Sequence, residues 1–235
     1  MSRHTLMVEP GTLTAQAVGA ALIPDRAESD HAVRVKRLIV GERVTLLDGA
    51  GLVGAAVVSA VRPGFELRIE SVREEPPVTP RVEVWSATPK GPRLEDMIDQ
   101  LSQVGAALWR PLDTEYGVVE PGEHKIERCR RVAREAAKQC GRAWLMEIGE
   151  AASIEQALTP RTGTMLVVAD ARGPVWGGVS GSASCVRVLV GPEGGFSAGE
   201  LERAAAAGAT PIRLGPHVLR IETAAVCAAG RIVGG

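Results

Sequence analysis

Residues 185–197 read CVRVLVGPEGGFS, an apolar run that ends in a glycine-rich turn at 191–195. Ser197 and Glu200 stand three residues apart, the spacing of a helix capping box. The stretch therefore predicts a strand, a tight turn and a helix over 197–207. A glycine-rich turn lets a ligand approach the backbone closely, and the start of a helix adds free N–H groups. Ligands of α/β sheets also bind at the carboxyl ends of strands, so this turn is a candidate ligand site. The alternative for this motif alone is a tight connecting loop.

A second stretch of similar design follows at residues 214–225, which read LGPHVLRIETAA. A predicted strand over 210–214 leaves through Gly-Pro and enters a predicted helix over 222–233. Arg220 and Glu222 stand near the start of that helix, beside small residues. Such a pair most often forms a surface ion pair with an ordinary cap, so the stretch alone keeps a purely structural interpretation open. Neither stretch has the spacing of a P-loop or of a dinucleotide-binding fingerprint.

The chain before these motifs divides at a proline-rich stretch. Residues 31–73 contain short Val- and Leu-rich runs separated by turn signals such as Asp48-Gly49, which predicts a small β-barrel or sandwich that begins with a short helix over 31–38. Three prolines within 74–80 can continue neither a helix nor a central strand, so this stretch predicts a linker.

Beyond the linker, predicted strands alternate with predicted helices. The strands are expected at 82–87, 164–170, 185–190 and 210–214, and the helices at 93–104, 125–142, 197–207 and 222–233. Such alternation is typical of an α/β fold with a parallel sheet covered by helices on both faces. The predicted domains are therefore residues 1–75, a β-barrel domain, and residues 76–235, an α/β domain.

Composition limits the possible functions. The chain has 27 Lys and Arg against 28 Asp and Glu, so the overall basic bias of many nucleic-acid binders is absent and any RNA contact must come from local clusters. The four cysteines, Cys129, Cys140, Cys185 and Cys227, lack metal-ligand spacing, which predicts no metal site and reduced thiols. With neither a signal-peptide region nor a membrane-length apolar stretch, the expected location is cytoplasmic.

The clearest predicted helix, residues 125–142, is strongly basic on one face. Its buried stripe is expected to consist of Ile126, Cys129, Val132, Ala133, Ala136, Ala137 and Cys140. Its cations are Lys125, Arg128, Arg130, Arg131, Arg134, Lys138 and, just past Gly141, Arg142. This is the strongest local positive patch of the sequence. It predicts either a phosphate-contacting surface or an ordinary solvated helix face.

The two glycine-containing motifs together resemble the C-terminal signature of SPOUT methyltransferases. The match is closest to the RsmE family, in which the same stretches read LIGPEGGF and LGPRILRTETAA. Residues 31–51 resemble that family's N-terminal PUA-like domain, and residues 90–115 and 131–148 resemble its middle segments. The similarity covers most of the chain in order. It implies a homodimeric, S-adenosylmethionine-dependent methyltransferase that modifies N3 of a uridine in 16S ribosomal RNA, a step of rRNA processing in ribosome biogenesis.

The resemblance also implies a fold and a cofactor site. Residues 1–75 should form a PUA-like RNA-binding β-barrel, and residues 76–235 a SPOUT domain with a C-terminal trefoil knot. Two knot loops should hold S-adenosylmethionine. The residues that match the family's cofactor loops are Gly191, Pro192, Glu193, Gly194, Gly195, Leu214, Gly215, Pro216, Leu219, Thr223 and Ala224.

Catalytic and RNA-binding residues follow from the implied reaction. Uridine N3 must lose a proton, and Arg220 is the candidate cation that stabilises the developing anion. Glu222 is a candidate proton acceptor, or it holds Arg220 in place. The expected phosphate contacts are Arg34, Lys36, Arg37, Lys90, Arg128, Arg131, Arg134, Lys138 and Arg142. No metal and no membrane is expected to take part.

The chain departs from the family pattern mainly outside the cofactor loops. Asp99, Gln100 and Gln103 stand where the family has a Gln-Lys pair and the start of a Glu-Leu-Gly sequence. Tyr116 stands where the family has an arginine, and His217 replaces another arginine. Three alternatives therefore stay open: a SPOUT methyltransferase with a different RNA target, a catalytically silent RNA-binding or ribosome-assembly protein, and an unrelated small-molecule α/β enzyme.

Overall fold

The computed structural model describes residues 4–178 and 183–234, which form two compact units. One unit comprises the described residues up to 77 together with 137–145, and the other comprises 78–136 and the described residues from 146 onward. The domain boundary expected at 75 stays a prediction. The return of the chain to the first unit at 137–145 had no signal in the sequence.

The first unit contains a five-stranded sheet. Its strands are β1 (Thr5–Met7), β2 (Ala21–Leu22), β3 (Arg43–Leu47), β4 (Leu52–Ala60) and β5 (Glu66–Glu74). They lie side by side in the order β1-β3-β4-β5-β2, with β1 parallel to β3 and the other pairs antiparallel. The alternating apolar residues of these strands supply its core, in which Leu6, Leu46, Val58 and Leu67 are fully buried.

The helical segment of the first unit begins earlier than predicted. Helix α1 covers Arg26–Asp30, and a π-helical turn continues it over His31–Val35. The cause is Asp25, whose side chain accepts a 2.8 Å hydrogen bond from the N–H of Glu28 and so caps the helix. The predicted helix over 31–38 is therefore shifted toward the N-terminus.

The Asp48-Gly49 turn is confirmed between β3 and β4. Asp48 Oδ1 accepts hydrogen bonds from the N–H groups of Ala50 and Leu52 at 2.8 and 2.9 Å. Gly51, with φ of 105°, lies against Trp144, whose ring carbon would be 2.5 Å from a Cβ at that position. Trp144 Nε1 also donates to the carbonyl of Glu75 at 2.8 Å, so the 137–145 segment is built into this unit.

The second unit is a parallel sheet with helices on both faces, as predicted. Its elements are β6 (Arg81–Ser86), α2 (Arg93–Val104), β7 (Leu108–Asp113), α3 (Glu123–Cys140), β8 (Glu147–Ile148), β9 (Ala152–Ser153), α4 (Ile154–Leu158), β10 (Thr164–Ala169), β11 (Cys185–Val190), α5 (Ala198–Ala206), β12 (Thr210–Ile212) and α6 (Ile221–Val233). The last turn of α3 belongs to the first unit. The strand order is β12-β10-β11-β6-β7-β8, β9 pairs with β7, and all pairings are parallel.

Two apolar layers enclose this sheet. One contains residues of α2, α3 and α6, including Met97, Cys129 and Ala225, and the other contains residues of α4 and α5, including Ala157 and Ala204. The alternation of side chains along each strand explains this division, because successive residues point to opposite faces.

A buried ion pair lies within the α4 and α5 layer. Glu83 on β6 accepts a 3.1 Å hydrogen bond from Arg187 on β11, and both side chains are less than 8% exposed. The Arg187 guanidinium also lies over the Trp85 ring, 4.5 Å from its centre. Burial acts to raise the pKa of Glu83, but the hydrogen bond and charge of Arg187, with the charges of Arg81 and Arg161, hold it below its ordinary value of 4.5.

Helix α3 corrects two predictions. Cys140, expected in the buried stripe, is exposed at the helix end, whereas Cys129 and Ala133 are buried as predicted. Lys138, expected on the cationic face, is only 7% exposed because its ammonium donates to Glu28 of α1 at 2.7 Å. Across residues 4–178 and 183–234, no helix combines the length and the apolar character that a bilayer crossing needs.

Candidate functional site

The two predicted loops meet at one edge of the second unit's sheet. Strands β10, β11 and β12 are parallel neighbours, so their carboxyl ends lie together. The glycine-rich turn 191–195 follows β11, and 213–220 follows β12. Between them is a cavity of about 440 Å³. This is the size and the place at which α/β sheets bind small ligands.

Most of the predicted cofactor residues line this cavity. Those that do are Gly191, Pro192, Glu193, Gly194, Gly195, Leu214, Gly215, Leu219 and Ala224. Pro216 and Thr223 are not among the lining residues. The structure adds residues that sequence reasoning missed, among them Asp170, Arg172 and Phe196. Phe196 directly follows the glycine-rich turn but was not among the predicted cofactor residues, and Asp170 and Arg172 both follow β10, which carries no motif of its own.

Two glycines explain the shape of the 191–195 turn. A Cβ on Gly191 would lie 3.1 Å from Phe196 Cδ2 and 3.2 Å from the carbonyl carbon of Gly195, so a side chain there would push these atoms away from the folded-back turn. Gly195 has φ of 76°, a left-handed conformation that glycine adopts without steric cost. The backbone of the turn therefore faces the cavity directly.

The capping box at the start of α5 is confirmed. Ser197 Oγ accepts from the N–H of Glu200 at 3.3 Å, and Glu200 Oε2 accepts from the N–H of Ser197 at 2.7 Å. Glu200 Oε1 also accepts from the N–H of Glu115 at 2.9 Å. At the helix start, the carboxylate of Glu200 therefore occupies the N–H of Ser197. The same carboxylate fixes the turn that follows β7.

The predicted catalytic pair is not an ion pair in the structure. Arg220 is exposed at the N-cap of α6, directly after the cavity residue Leu219, and it forms no ion pair within the described residues. Glu222 instead approaches Arg93 of α2, with 3.8 Å between the guanidinium Nε and a carboxylate oxygen. Its second oxygen is buried without a hydrogen-bond partner in the described part of the chain. Glu222 therefore links the start of α6 to α2.

An ion pair that the sequence did not predict borders the cavity. Asp170 follows β10, and its carboxylate accepts from Arg172 at 3.0 and 3.2 Å through two guanidinium nitrogens. The N–H of Arg172 donates to the same carboxylate at 2.9 Å. The Arg172 hydrogen bond holds the pKa of Asp170 below its ordinary value of 3.8, against a smaller effect of burial. This edge of the cavity thus carries a charged carboxylate and its neutralising cation.

The predicted phosphate-contacting residues divide between the two units. In the first unit, Arg34 is exposed and lies 3.5 Å from Asp30, while Lys36 donates to the carbonyl of Thr5. Arg37 is exposed with φ of 55°, which is uncommon for a residue with a side chain.

Three of the remaining predicted cations in the second unit are exposed and one is half-buried. Lys90 and Arg131 are exposed, Arg128 is exposed but lies 2.6 Å from Glu95, and Arg134 is half-buried. Arg142, in the first unit, is half-buried, and Lys138 is the buried partner of Glu28 described above. Burial thus distinguishes residues that sequence periodicity had grouped on one face.

Within the described ranges, no cluster of three or more His, Cys, Asp or Glu side chains could hold a metal ion.

Comparison with known protein families defines the class. Residues 74–233 match the family described as the RNA methyltransferase domain, and residues 23–70 match the RNA methyltransferase PUA domain. The fold and the matched families together define a PUA-containing RNA methyltransferase. This confirms the predicted order of a PUA-like domain followed by an α/β methyltransferase domain.

Individual relatives identify the family within this class. A relative from Synechocystis sp., named ribosomal RNA small subunit methyltransferase E, is 31% identical over 224 residues, which cover 92% of this chain and 74% of the relative. A protein of the same name from Bacillus subtilis is 28% identical over 221 residues, covering 87% of this chain and 86% of that protein. The chain belongs to the ribosomal RNA small subunit methyltransferase E family.

Solved structures agree with the fold. A methyltransferase structure from Legionella pneumophila, determined with bound S-adenosylmethionine, superposes with a TM-score of 0.84 at 27% identity, covering 98% of this chain and 97% of that one. The ribosomal RNA small subunit methyltransferase E of Neisseria gonorrhoeae superposes with a TM-score of 0.86 at 21% identity, covering 97% and 95%. These likenesses confirm the predicted α/β domain with a preceding PUA-like domain, and the trefoil knot stays a prediction.

Proposed function

We propose that this protein transfers a methyl group from S-adenosylmethionine to N3 of a uridine in 16S ribosomal RNA. The observation that carries the proposal is the 440 Å³ cavity between the glycine-rich turn and the 213–220 loop. The names of the similar proteins support an RNA of the small ribosomal subunit as the substrate. The bound cofactor of the Legionella pneumophila relative supports the identity of the methyl donor.

The residues of the cavity fit this cofactor. Its volume lies within the range of about 300–1,000 Å³ that small-molecule sites occupy. The turn at 191–195 would offer backbone groups to the adenine and ribose, because no side chain of Gly191, Gly194 or Gly195 intervenes. The apolar residues Phe196, Leu214 and Leu219 would cover its hydrophobic surfaces. The bound cofactor supplies an electrophilic methyl group on a sulfonium.

Arg220 is proposed to stabilise the developing uridine anion. Its guanidinium is exposed beside Leu219 and is not neutralised by a carboxylate within the described residues. A cation available for a new partner is what anion stabilisation requires. For Glu222 the ion pair with Arg93 favours a positioning role at the start of α6 over the role of proton acceptor.

RNA binding is proposed for the exposed basic residues of both units. Lys90, Arg128 and Arg131 in the second unit, and Arg34 and Arg37 in the first, are exposed and chemically suited to phosphate oxygens. Lys138 is omitted from this set, because its ammonium is buried against Glu28. The proposal includes a homodimer, a trefoil knot and a cytoplasmic location, which the family resemblance suggests. Light scattering of the purified protein tests the dimer.

The first experiment is titration calorimetry of S-adenosylmethionine into the purified protein. The proposal expects one binding site per chain. Gly194→Val should abolish binding without unfolding the chain, since its branched side chain would press against Tyr116 and displace the turn that lines the cavity. Gly64→Val is the matched control, because Gly64 lies in the hairpin between β4 and β5 with open space around it. Equal affinity in both variants would contradict the cofactor assignment.

The second experiment measures methyl transfer to small ribosomal subunits from a strain that lacks its own enzyme. Mass spectrometry of nuclease digests then identifies the modified nucleotide. A methyl group at uridine N3 supports the proposal, and a methyl group on another atom or base favours a different RNA target. Tight rRNA binding without methyl transfer would favour the silent RNA-binding protein.

A further inference from the structure

The turn after β7 presents an exposed aromatic ring beside the cofactor cavity. Tyr116 is the chain's only tyrosine and is 49% exposed. It packs against the glycine-rich turn, where a Cβ built on Gly194 would lie 3.6 Å from Tyr116 Cβ and Cδ2. Gly194 itself lines the cavity. One side of the tyrosine thus contacts a cavity loop, and about half of its surface is open to solvent.

The turn that carries this ring is held in a defined position. The N–H of Gly117 donates to the carbonyl of Thr114 at 2.9 Å, which closes a tight turn with Tyr116 near its tip. Glu200, itself almost fully buried, accepts from the N–H of Glu115 at 2.9 Å and ties the turn to α5. A tyrosine on a fixed turn has only two side-chain torsions to immobilise, so it loses little conformational entropy when it binds a partner.

The charge around the ring argues against a phosphate contact. Asp113 and Glu115, the exposed charged residues of the same segment, are both acidic. An acidic turn repels the RNA backbone but leaves the neutral face of a base free to stack. Beyond the ring, Gly117 and Val118 line a second cavity of about 370 Å³, which gives space next to the turn.

We infer that Tyr116 is a base-stacking residue that positions an unpaired RNA base next to the cofactor cavity. The inference rests on the proposed function. Uridine N3 lies on the pairing edge of the base, so a methyltransferase can reach it only when the base is unpaired. Unpaired RNA bases are commonly held by stacking on aromatic side chains. The family resemblance offers no such ring here, because its pattern carries an arginine at this position.

The test compares Tyr116→Leu with Tyr116→Phe in methyl transfer to under-methylated small ribosomal subunits. Loss of one stacking contact should raise the KM for the subunit about tenfold in Tyr116→Leu, with a smaller change in kcat. Tyr116→Phe keeps the ring and should stay within about twofold of the parent KM. Calorimetry should find the same affinity for S-adenosylmethionine in all three proteins.

Several outcomes would overturn the inference. An unchanged KM in Tyr116→Leu would remove the ring from RNA binding, and equal losses in both variants would assign the effect to the hydroxyl. If Tyr116→Leu lost affinity for S-adenosylmethionine to the same extent, Tyr116 would act by supporting the turn at Gly194. If the molar mass of the protein in solution changed, Tyr116 would instead lie in a subunit contact. If the parent protein itself neither binds nor methylates the ribosomal RNA, the proposed function fails first, so the two failures are distinguishable.

Discussion

Replacing Lys138 by methionine should destabilise the first unit strongly. Its ammonium lies 2.7 Å from Glu28, and the two side chains are 7% and 8% exposed. The second oxygen of Glu28 is buried without a hydrogen-bond partner in the described part of the chain. Lys138→Met would therefore leave a buried carboxylate without its cation, a change that costs about 3–5 kcal/mol. For a chain of this length, the Tm should fall by about 10 °C.

Thermal and urea unfolding followed by circular dichroism would measure this change. Lys125→Met is the matched control, because Lys125 is an exposed lysine on the same helix and its loss should cost less than about 0.5 kcal/mol. The double variant Glu28→Met with Lys138→Met removes both charges and should recover to within about 1 kcal/mol of the parent. A stable single variant, or a double variant as unstable as the single one, would refute the reasoning.

Three further changes test the cavity and the buried network. Gly191→Ala places a Cβ 3.1 Å from Phe196, so calorimetry should show affinity for S-adenosylmethionine reduced by about tenfold, and unchanged affinity would contradict the assigned turn. Arg220→Ala should keep cofactor affinity but lower single-turnover methyl transfer more than about tenfold, roughly 1.4 kcal/mol of barrier, and full turnover would exclude Arg220 from the reaction. Arg187 holds the pKa of Glu83 below its ordinary value of 4.5 in the folded protein. The ion pair therefore stabilises the fold fully above pH 4.5, and this stabilisation is lost as the pH falls through the pKa of Glu83 in the folded protein. The difference in unfolding free energy between the parent and Glu83→Gln should therefore narrow on acidification in urea titrations, and a difference independent of pH would argue against the ion pair.

Local patterns predicted the elements whose signals lie within a few residues. Helix α2 has the predicted bounds because its apolar residues recur at helical spacing, and β11 has them because its Val- and Leu-rich run ends directly at Gly191. Strand β7 was missed, since Arg110 and Pro111 interrupt its apolar run. The burial of Lys138 could not be predicted, because its partner Glu28 lies 110 residues earlier in the sequence.

The parts of the candidate site that could be predicted are likewise those whose signals lie within a few consecutive residues. The two glycine-containing loops were predictable because each is a continuous motif, and the parallel order of β10, β11 and β12 then brings them together. Asp170 and Tyr116 were not predicted as neighbours of the cavity, because each follows a strand that carries no motif of its own. The pairing of Glu222 with Arg93 likewise depends on how α6 packs against α2, which no local pattern specifies.

The return of residues 137–145 to the first unit has a consequence for synthesis on the ribosome. The segment 137–145 supplies Lys138 to the buried carboxylate of Glu28 and Trp144 to the surface of Gly51. A nascent chain that has reached only residue 77 lacks both partners, so this unit can finish folding only after residue 145 has left the exit tunnel. A protein cut at the apparent linker should therefore expose the apolar surface of its first unit. Adding residues 137–145 as a separate peptide should bury that surface again.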